Sequence, residues 1–411
     1  MSVNAEEYLD MKSPSLLSLF WTFLKIGSTA FGGFMALISV VQNYLVDREK
    51  LLTDEEMLDG ISLATVLPGP VAVNVVAYAG YKIRGVSGAI VCATAVILPS
   101  FFLILFLSYA YFTWGDIPAV TSIFQGFLPA VAAIIAAAAI NMGKKALSGS
   151  TEVSIAVAAL FTIVFIGGFY STLAVIFSAG SLGWILYRKD ENVDKSKVNK
   201  ASLVEPGHRL RYLMLLAGGA VIAIAVPLVK LQSVLSVQVL LASKLFVTFA
   251  GMSVLLFGGG FVFIPLMQES IVEGYHWVTH KEFVDAIAMG QITPGPILIS
   301  ATFIGYKVAG VLGATLATIG IFAPPAVIML ICTHYLQALK TSIHVKAVLK
   351  GVRCGVIGMI AAASYVVAMS AEINLITIAI FIFAMFALLK LKLEVVWIIP
   401  VSGIVGLLAF S

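Results

Sequence analysis

The chain has 411 residues, 60% hydrophobic and 11% charged, with a mean hydropathy of +1.05. Soluble domains carry roughly 25% charged residues, so lipid rather than water is the main solvent here. The net charge is only +4, no basic patch with interleaved aromatics stands out, and nucleic-acid binding is excluded as a function class.

Near the N-terminus Glu6, Glu7 and Asp10 face a single Lys12, the wrong charge for a secretory n-region, so no cleavable signal is expected. Apolar runs bounded by charge, Gly or Pro predict six spans at 15–42, 57–83, 86–112, 118–142, 151–168 and 170–187. A polar stretch at 188–211 follows, then span seven at 212–230. Six more are predicted at 239–267, 283–306, 311–337, 343–369, 373–389 and 393–410. The expected fold class is an all-α integral membrane protein of about 13 transmembrane helices. Its expected parts are an N-terminal transporter repeat (1–187), a basic cytoplasmic linker with a connecting helix (188–238) and a C-terminal inverted repeat (239–411).

Loop charges fit this count. With the N-terminus in the cytoplasm, Lys82, Arg84, Lys144, Lys145, the linker cluster, Lys281, Lys340, Lys346, Lys390 and Lys392 fall inside. Arg48, Lys50, Lys230 and Lys307 fall outside, and the C-terminus ends outside. Cys92, Cys332 and Cys354 lie far apart in apolar surroundings and read as packing residues, not as a disulfide or metal framework.

The second half repeats the first. Phe31-Gly32-Gly33 recurs as Phe257-Gly258-Gly259, an offset of 226. The same offset pairs Thr53, Glu56 and Asp59 with Thr279, Glu282 and Asp285, and Pro68-Gly69-Pro70 with Pro294-Gly295-Pro296. After one deletion, Gly80-Tyr81-Lys82 meets Gly305-Tyr306-Lys307, Gly85 meets Gly310, Pro99 meets Pro324 and Gly126 meets Gly351. With six spans on each side of an odd seventh, the halves are expected to be inverted, related by a pseudo-two-fold axis in the membrane plane, as in many secondary transporters.

Pro-Gly-Pro removes two backbone donors and adds glycine freedom, so it predicts discontinuous helices broken at both copies. Such backbone is tolerated at membrane depth only where protein or water covers it. The helices resuming near Val71 and Ile297 would offer free N–H groups and a positive dipole end, which is an anion site in chemical terms. A simple proline kink is the alternative. Gly32, Gly33, Gly258 and Gly259 serve either close approach to substrate or helix packing. Asn74, Ser300, Thr65, Gln291 and Thr293 could donate to an oxyanion or satisfy freed backbone groups.

Intramembrane charges are functional candidates by default. Glu56, Asp59, Glu282 and Asp285 are expected as coupling or structural carboxylates. Lys25 and Arg353 have no basic repeat partner and could neutralise a bound anion; Lys25 could instead snorkel. Lys82 and Lys307 would attract anions at the two mouths of a pathway, or simply anchor the interface. Enzyme signatures such as H-E-x-x-H, a Walker loop or G-x-S-x-G are not found, and the five histidines show no ligand spacing.

Phe31-Gly32-Gly33, Pro68-Gly69-Pro70, Gly80-Tyr81-Lys82-x-x-Gly85-x-x-Gly88-Ala89 and their second-half copies together resemble the chromate ion transporter family in its long two-domain form. The resemblance covers about residues 15–410. It implies an inner-membrane anion carrier associated with chromate efflux, some relatives being linked to sulfate. The expected function is secondary transport of an oxyanion by alternating access at a midplane site. Expected partners are that anion, protons as an optional coupling ion and membrane lipids; a homodimer is left open, and no cofactor or metal is expected. An anion channel using the same broken helices is the alternative, and an intramembrane enzyme acting on a lipid phosphate is a weaker third. A dianion leaving a cell at 100 mV, interior negative, gains roughly 4.6 kcal/mol, which favours efflux.

Overall fold

The computed structural model of this chain describes residues 14–30, 33–114, 117–188, 237–256, 260–333, 342–369 and 373–410. Span seven at 212–230, nearly all of the basic linker, and Phe31, Gly32, Phe257, Gly258 and Gly259 lie outside the described residues. Among the described residues every regular element is helical, and five helices are long and apolar enough to cross a membrane.

α1 (Leu16–Thr29) is capped by Ser15, whose Oγ accepts from the Ser18 amide at 3.1 Å. α2 (Gly33–Gln42) continues into a wide π turn (Asn43–Arg48) and runs back beside α1, bringing the Thr22 and Tyr44 hydroxyls within 3.3 Å. α3 (Asp54–Val66) and α4 (Val71–Trp114) flank the first Pro-Gly-Pro, where Gly69 takes a φ of +103° that other residues rarely adopt.

These two helices fold against each other about Gly69. A Cβ on Gly60 would stand 2.4 Å from the Tyr78 ring, and Lys82 Nζ lies 3.7 Å from Glu56 Oε1. The 13 residues of α3 rise about 20 Å, short of the ~30 Å hydrocarbon core. Segment 57–83, predicted as one span, is thus a hairpin whose ends lie together. Segment 15–42 is a second hairpin.

α4 leaves the helix at Arg84 (φ −140°, ψ 23°) and Gly85 (φ 64°, ψ −153°), so its limb 86–114 runs back along limb 71–83. Gly80 and Gly88 permit this reversal: a Cβ on Gly80 would stand 2.5 Å from the Gly88 carbonyl oxygen. Arg84 Nε donates to the Pro14 carbonyl at 2.9 Å, placing the start of α1 at the base of the hairpin. α5 (Pro118–Ala146), α6 (Ser150–Phe165) and α7 (Phe169–Tyr187) complete the first half.

The second half repeats this backbone. α8 (Val237–Val254) meets the returning limb of its own hairpin, a 3-10 turn (Gly260–Val262), α9 (Phe263–Met267) and a π turn (Gln268–Gly274). Lys244 of α8 sits 4.4 Å from the centre of the Tyr275 ring. α10 (His280–Ile292) and α11 (Ser300–Thr333) flank the second Pro-Gly-Pro, and Lys307 Nζ reaches Glu282 Oε1 at 2.8 Å. Segments 239–267 and 283–306, like their first-half partners, are therefore hairpins rather than single spans. α11 reverses at Ala309 (φ −143°, ψ 29°) and Gly310 (φ 61°, ψ −149°), within 6° of the dihedrals at Arg84 and Gly85. α12 (Ile343–Met369), α13 (Leu375–Leu389) and α14 (Val395–Phe410) follow.

The halves exchange their last helices. α14 packs on α5 of the first half, where a Cβ on Gly126 would meet the Ser402 carbonyl oxygen at 2.2 Å. α7 packs on α12 of the second half, where a Cβ on Gly351 would meet the Ala179 carbonyl oxygen at 2.1 Å. Gly126 and Gly351 are repeat partners, and both allow backbones to approach closely. Gly351→Val is expected to force α7 from α12 and to cost about 1–3 kcal/mol, read as a lower melting temperature in detergent.

Candidate functional site

The hairpin tips of the two halves meet. The Gly69 N–H donates to the Leu256 carbonyl at 2.7 Å, and the Gly295 N–H donates to the Ala30 carbonyl at 3.0 Å. Ala30 and Leu256 immediately precede the two Phe-Gly-Gly copies, so each Pro-Gly-Pro glycine bonds the other half's hairpin. The Ser100 hydroxyl donates to the Pro294 carbonyl. Its repeat partner is Pro325, which stands over Gly69 so closely that a Cβ there would lie 2.2 Å from the Pro325 ring.

Pro68, Gly69, Pro70, Pro294, Gly295 and Pro296 are all buried. α4 restarts at Val71, and the amides of its first turn have no partner within the helix. In the second half a 3-10 turn (Ile297–Ile299) comes first, and a Cβ on Gly260 would touch Ile297 and Leu298 at 2.8 and 3.0 Å. Asn74 is fully buried; its Nδ2 donates to the Pro68 carbonyl at 3.1 Å, and its Oδ1 has no partner among the described residues. Gln291 Nε2 is likewise buried without a partner among them. Thr65, Thr293 and Ser300 turn to their own backbone instead, donating to Ser62, Gly290 and Ile297 carbonyls at 2.8, 3.1 and 2.9 Å.

The four carboxylates divide in two. Glu56 and Glu282 are the third residues of α3 and α10 and close capping boxes with Thr53 and Thr279: each carboxylate accepts the cap N–H, at 3.1 and 2.9 Å. They also hold Lys82 and Lys307, so their work is to fix the hairpin bases. Asp59 is half-buried, whereas Asp285 is fully buried. The Tyr111 hydroxyl, from the first half, donates to Asp285 Oδ2 at 2.7 Å. No sequence signal marks this cross-half contact, because position 111 is far from 285 and belongs to no motif.

Lys82 and Lys307 line two different cavities. One, about 330 Å³, is bounded by Tyr81, Lys82, Gly85 and Thr333; the other, about 460 Å³, includes Glu273, His276, Thr279, Glu282 and Lys307. Limb 311–333 starts beside Lys307 and ends at Thr333 in the Lys82 cavity, so its length of about 34 Å separates them. Lys25 and Arg353 are exposed on α1 and α12 and are not among the buried groups at the tips.

The sequence profile of the family described as Chromate transporter matches residues 17–184 and 243–407, two stretches that begin one repeat offset apart. This chain belongs to the chromate transporter family. It is 32% identical over 401 residues to an uncharacterized transporter of Methanocaldococcus jannaschii, covering 96% of this chain and 95% of that relative. Chromate transport proteins of Cupriavidus metallidurans and Pseudomonas aeruginosa are each 30% identical to it, over 399 residues (96% of this chain, 94% of the relative) and 404 residues (95% and 92%). No solved structure matches. Chromate transporter family members are transporters rather than enzymes, and the long apolar helices make this one a multi-pass membrane protein.

Proposed function

We propose that this protein exports a tetrahedral oxyanion, chromate foremost, through the cell (inner) membrane by alternating access, with the anion held where the four hairpin tips meet. The observation that carries this reading is the exchanged pair of hydrogen bonds, Gly69 to Leu256 and Gly295 to Ala30. They bring the two Pro-Gly-Pro breaks, with the first-turn amides that follow them, to one buried place; Gln291, whose Nε2 has no partner among the described residues, stands three residues before Pro294, and amide donors suit an oxyanion. A fixed site between two repeats is what alternating access needs.

The halves are read as inverted repeats. Lys82 and Lys307, equivalent in sequence, belong to cavities at opposite ends of limb 311–333 and attract the anion at either mouth. The crossing helices become limb 86–114, α5, α6, α7, limb 311–333, α12, α13 and α14; the 212–230 run, outside the described residues, is carried over from the sequence reading as a ninth span. An odd count keeps the N-terminus cytoplasmic and the C-terminus outside. The hairpins improve the charge bias, since Arg48 and Lys50 move to the cytoplasmic base while only Lys281 moves out. Exposed Lys25 and Arg353 are assigned to neutralising the anion on its way to the tips.

Reconstituted vesicles loaded with chromate, sulfate, molybdate or phosphate test the reading. Saturable, potential-driven chromate release with counterflow of labelled against unlabelled anion is expected. Flux without counterflow would establish the channel instead.

A further inference from the structure

We propose that Asp285 is a proton-binding site that couples proton movement to anion transport, and that its repeat partner Asp59 is not. The inference rests on the transport reading above and adds a second ion to it. Two observations carry it. First, Asp285 is fully buried, and only one of its two oxygens is held: Oδ2 accepts from Tyr111, while Oδ1 has no partner among the described residues. An ionised carboxylate with one bare oxygen in an apolar setting is costly, and adding a proton to that oxygen removes the charge. Second, the site has a way out. Glu282, one turn earlier on α10, lines the 460 Å³ cavity with Thr279 and Lys307, so a space large enough for water comes within a helical turn of the carboxylate.

The surrounding charges fit a group that changes state. On its own helix Asp285 feels Lys281 and Glu282. Glu282 is already paired with Lys307, the charged residue that α11 brings to this end. The π turn packed against α10 contributes Glu269, whose Oε2 accepts the Gly168 N–H at 2.5 Å, and Glu273, which pairs with His280 at 3.0 Å. α14 carries no ionisable residue, and those of α5, Lys144 and Lys145, lie at its far end. Among the described residues, Lys281 acts on the carboxylate only through its charge, and Oδ1 has no hydrogen-bond partner. In the proposed step water in the cavity delivers a proton to Oδ1, and the same O–H bond breaks when the site opens to the other side. Tyr111 keeps its own proton throughout and ties the event to the opposite half. Asp59 differs: it is only half-buried, where Asp285 is fully buried.

Proteoliposomes at zero membrane potential decide this. For one coupled proton, a one-unit pH gradient shifts the wild-type chromate distribution by up to about tenfold. Asp285→Asn is expected to abolish that shift while retaining chromate counterflow at symmetric pH, and Asp59→Asn to keep it. If Asp285→Asn does not reconstitute, Tyr111→Phe serves: losing a donor to the ionised form moves the pH of half-maximal transport upward by on the order of one unit. A shift that survives in Asp285→Asn, an unmoved profile in Tyr111→Phe, or a response to a sodium gradient in place of a pH gradient overturns the proposal. Absence of wild-type counterflow would instead bring down the carrier reading and this one with it.

Discussion

Gly69→Ala is expected to reduce transport about tenfold or more, while Gly85→Ala leaves most of it. Both glycines have positive φ, +103° and +64°, so both substitutions carry a left-handed backbone penalty of about 1–2 kcal/mol. Only Gly69 has neighbours in the way. Its new methyl would lie 2.2 Å from Pro325, a rigid ring on a helix of the other half, whereas Gly85 has nothing within 4 Å. Relief requires the tip to withdraw, which breaks the Gly69–Leu256 hydrogen bond and displaces the amides behind it. Gly295→Ala should fall between the two, because its methyl meets the Ser100 hydroxyl at 2.7 Å and that side chain can rotate. Vesicle transport rates, normalised to reconstituted protein, rank the three; equal damage at Gly85 and Gly69 would mean that tip contact is not the cause.

Chemical labelling from each face of the membrane should give an all-or-none result. With Cys92, Cys332 and Cys354 replaced, Glu55→Cys and Ser87→Cys are expected to react with an impermeant thiol reagent from the same face. His280→Cys and Val311→Cys should both react from the opposite one. All four positions are exposed. A single span over 57–83 would put Glu55 and Ser87 on different faces, so the two arrangements cannot give the same pattern.

Much of this architecture was legible in the sequence, and the limits have physical causes. The repeat offset identified every equivalent pair, down to the shared reversal at Gly85 and Gly310. Hydropathy could not tell a hairpin from a span. Two 13-residue limbs around Pro68-Gly69-Pro70 sum to one apolar run of ordinary length, and the contacts of Glu56 with Lys82 and of Gly60 with Tyr78 reveal that it doubles back. A usable hint was present: those opposite charges sit 13 residues on either side of Gly69. Asp59 and Asp285 looked alike because burial is imposed by partners, and Tyr111 has no signature. Thr65, Thr293 and Ser300 could not be separated from donors facing substrate, since a hydroxyl serves either role. The exchange of α7 and α14 left no trace, as apolar helices offer lipid and protein the same surface.

That exchange constrains how such a protein could have arisen. A gene for one half alone would yield a subunit with its terminal helix reaching for a neighbour and its hairpin tips lacking bonding partners. On the inverted-repeat reading proposed above, the remedy is a second copy inserted upside down, and the ancestral subunit would have entered the membrane in both orientations. On that reading, fusion would then fix what had been a matter of chance: one copy of each orientation, always in equal number and always adjacent. Once the orientations are fixed, the two copies are free to diverge, and Ser100 against Pro325 marks one place where they have.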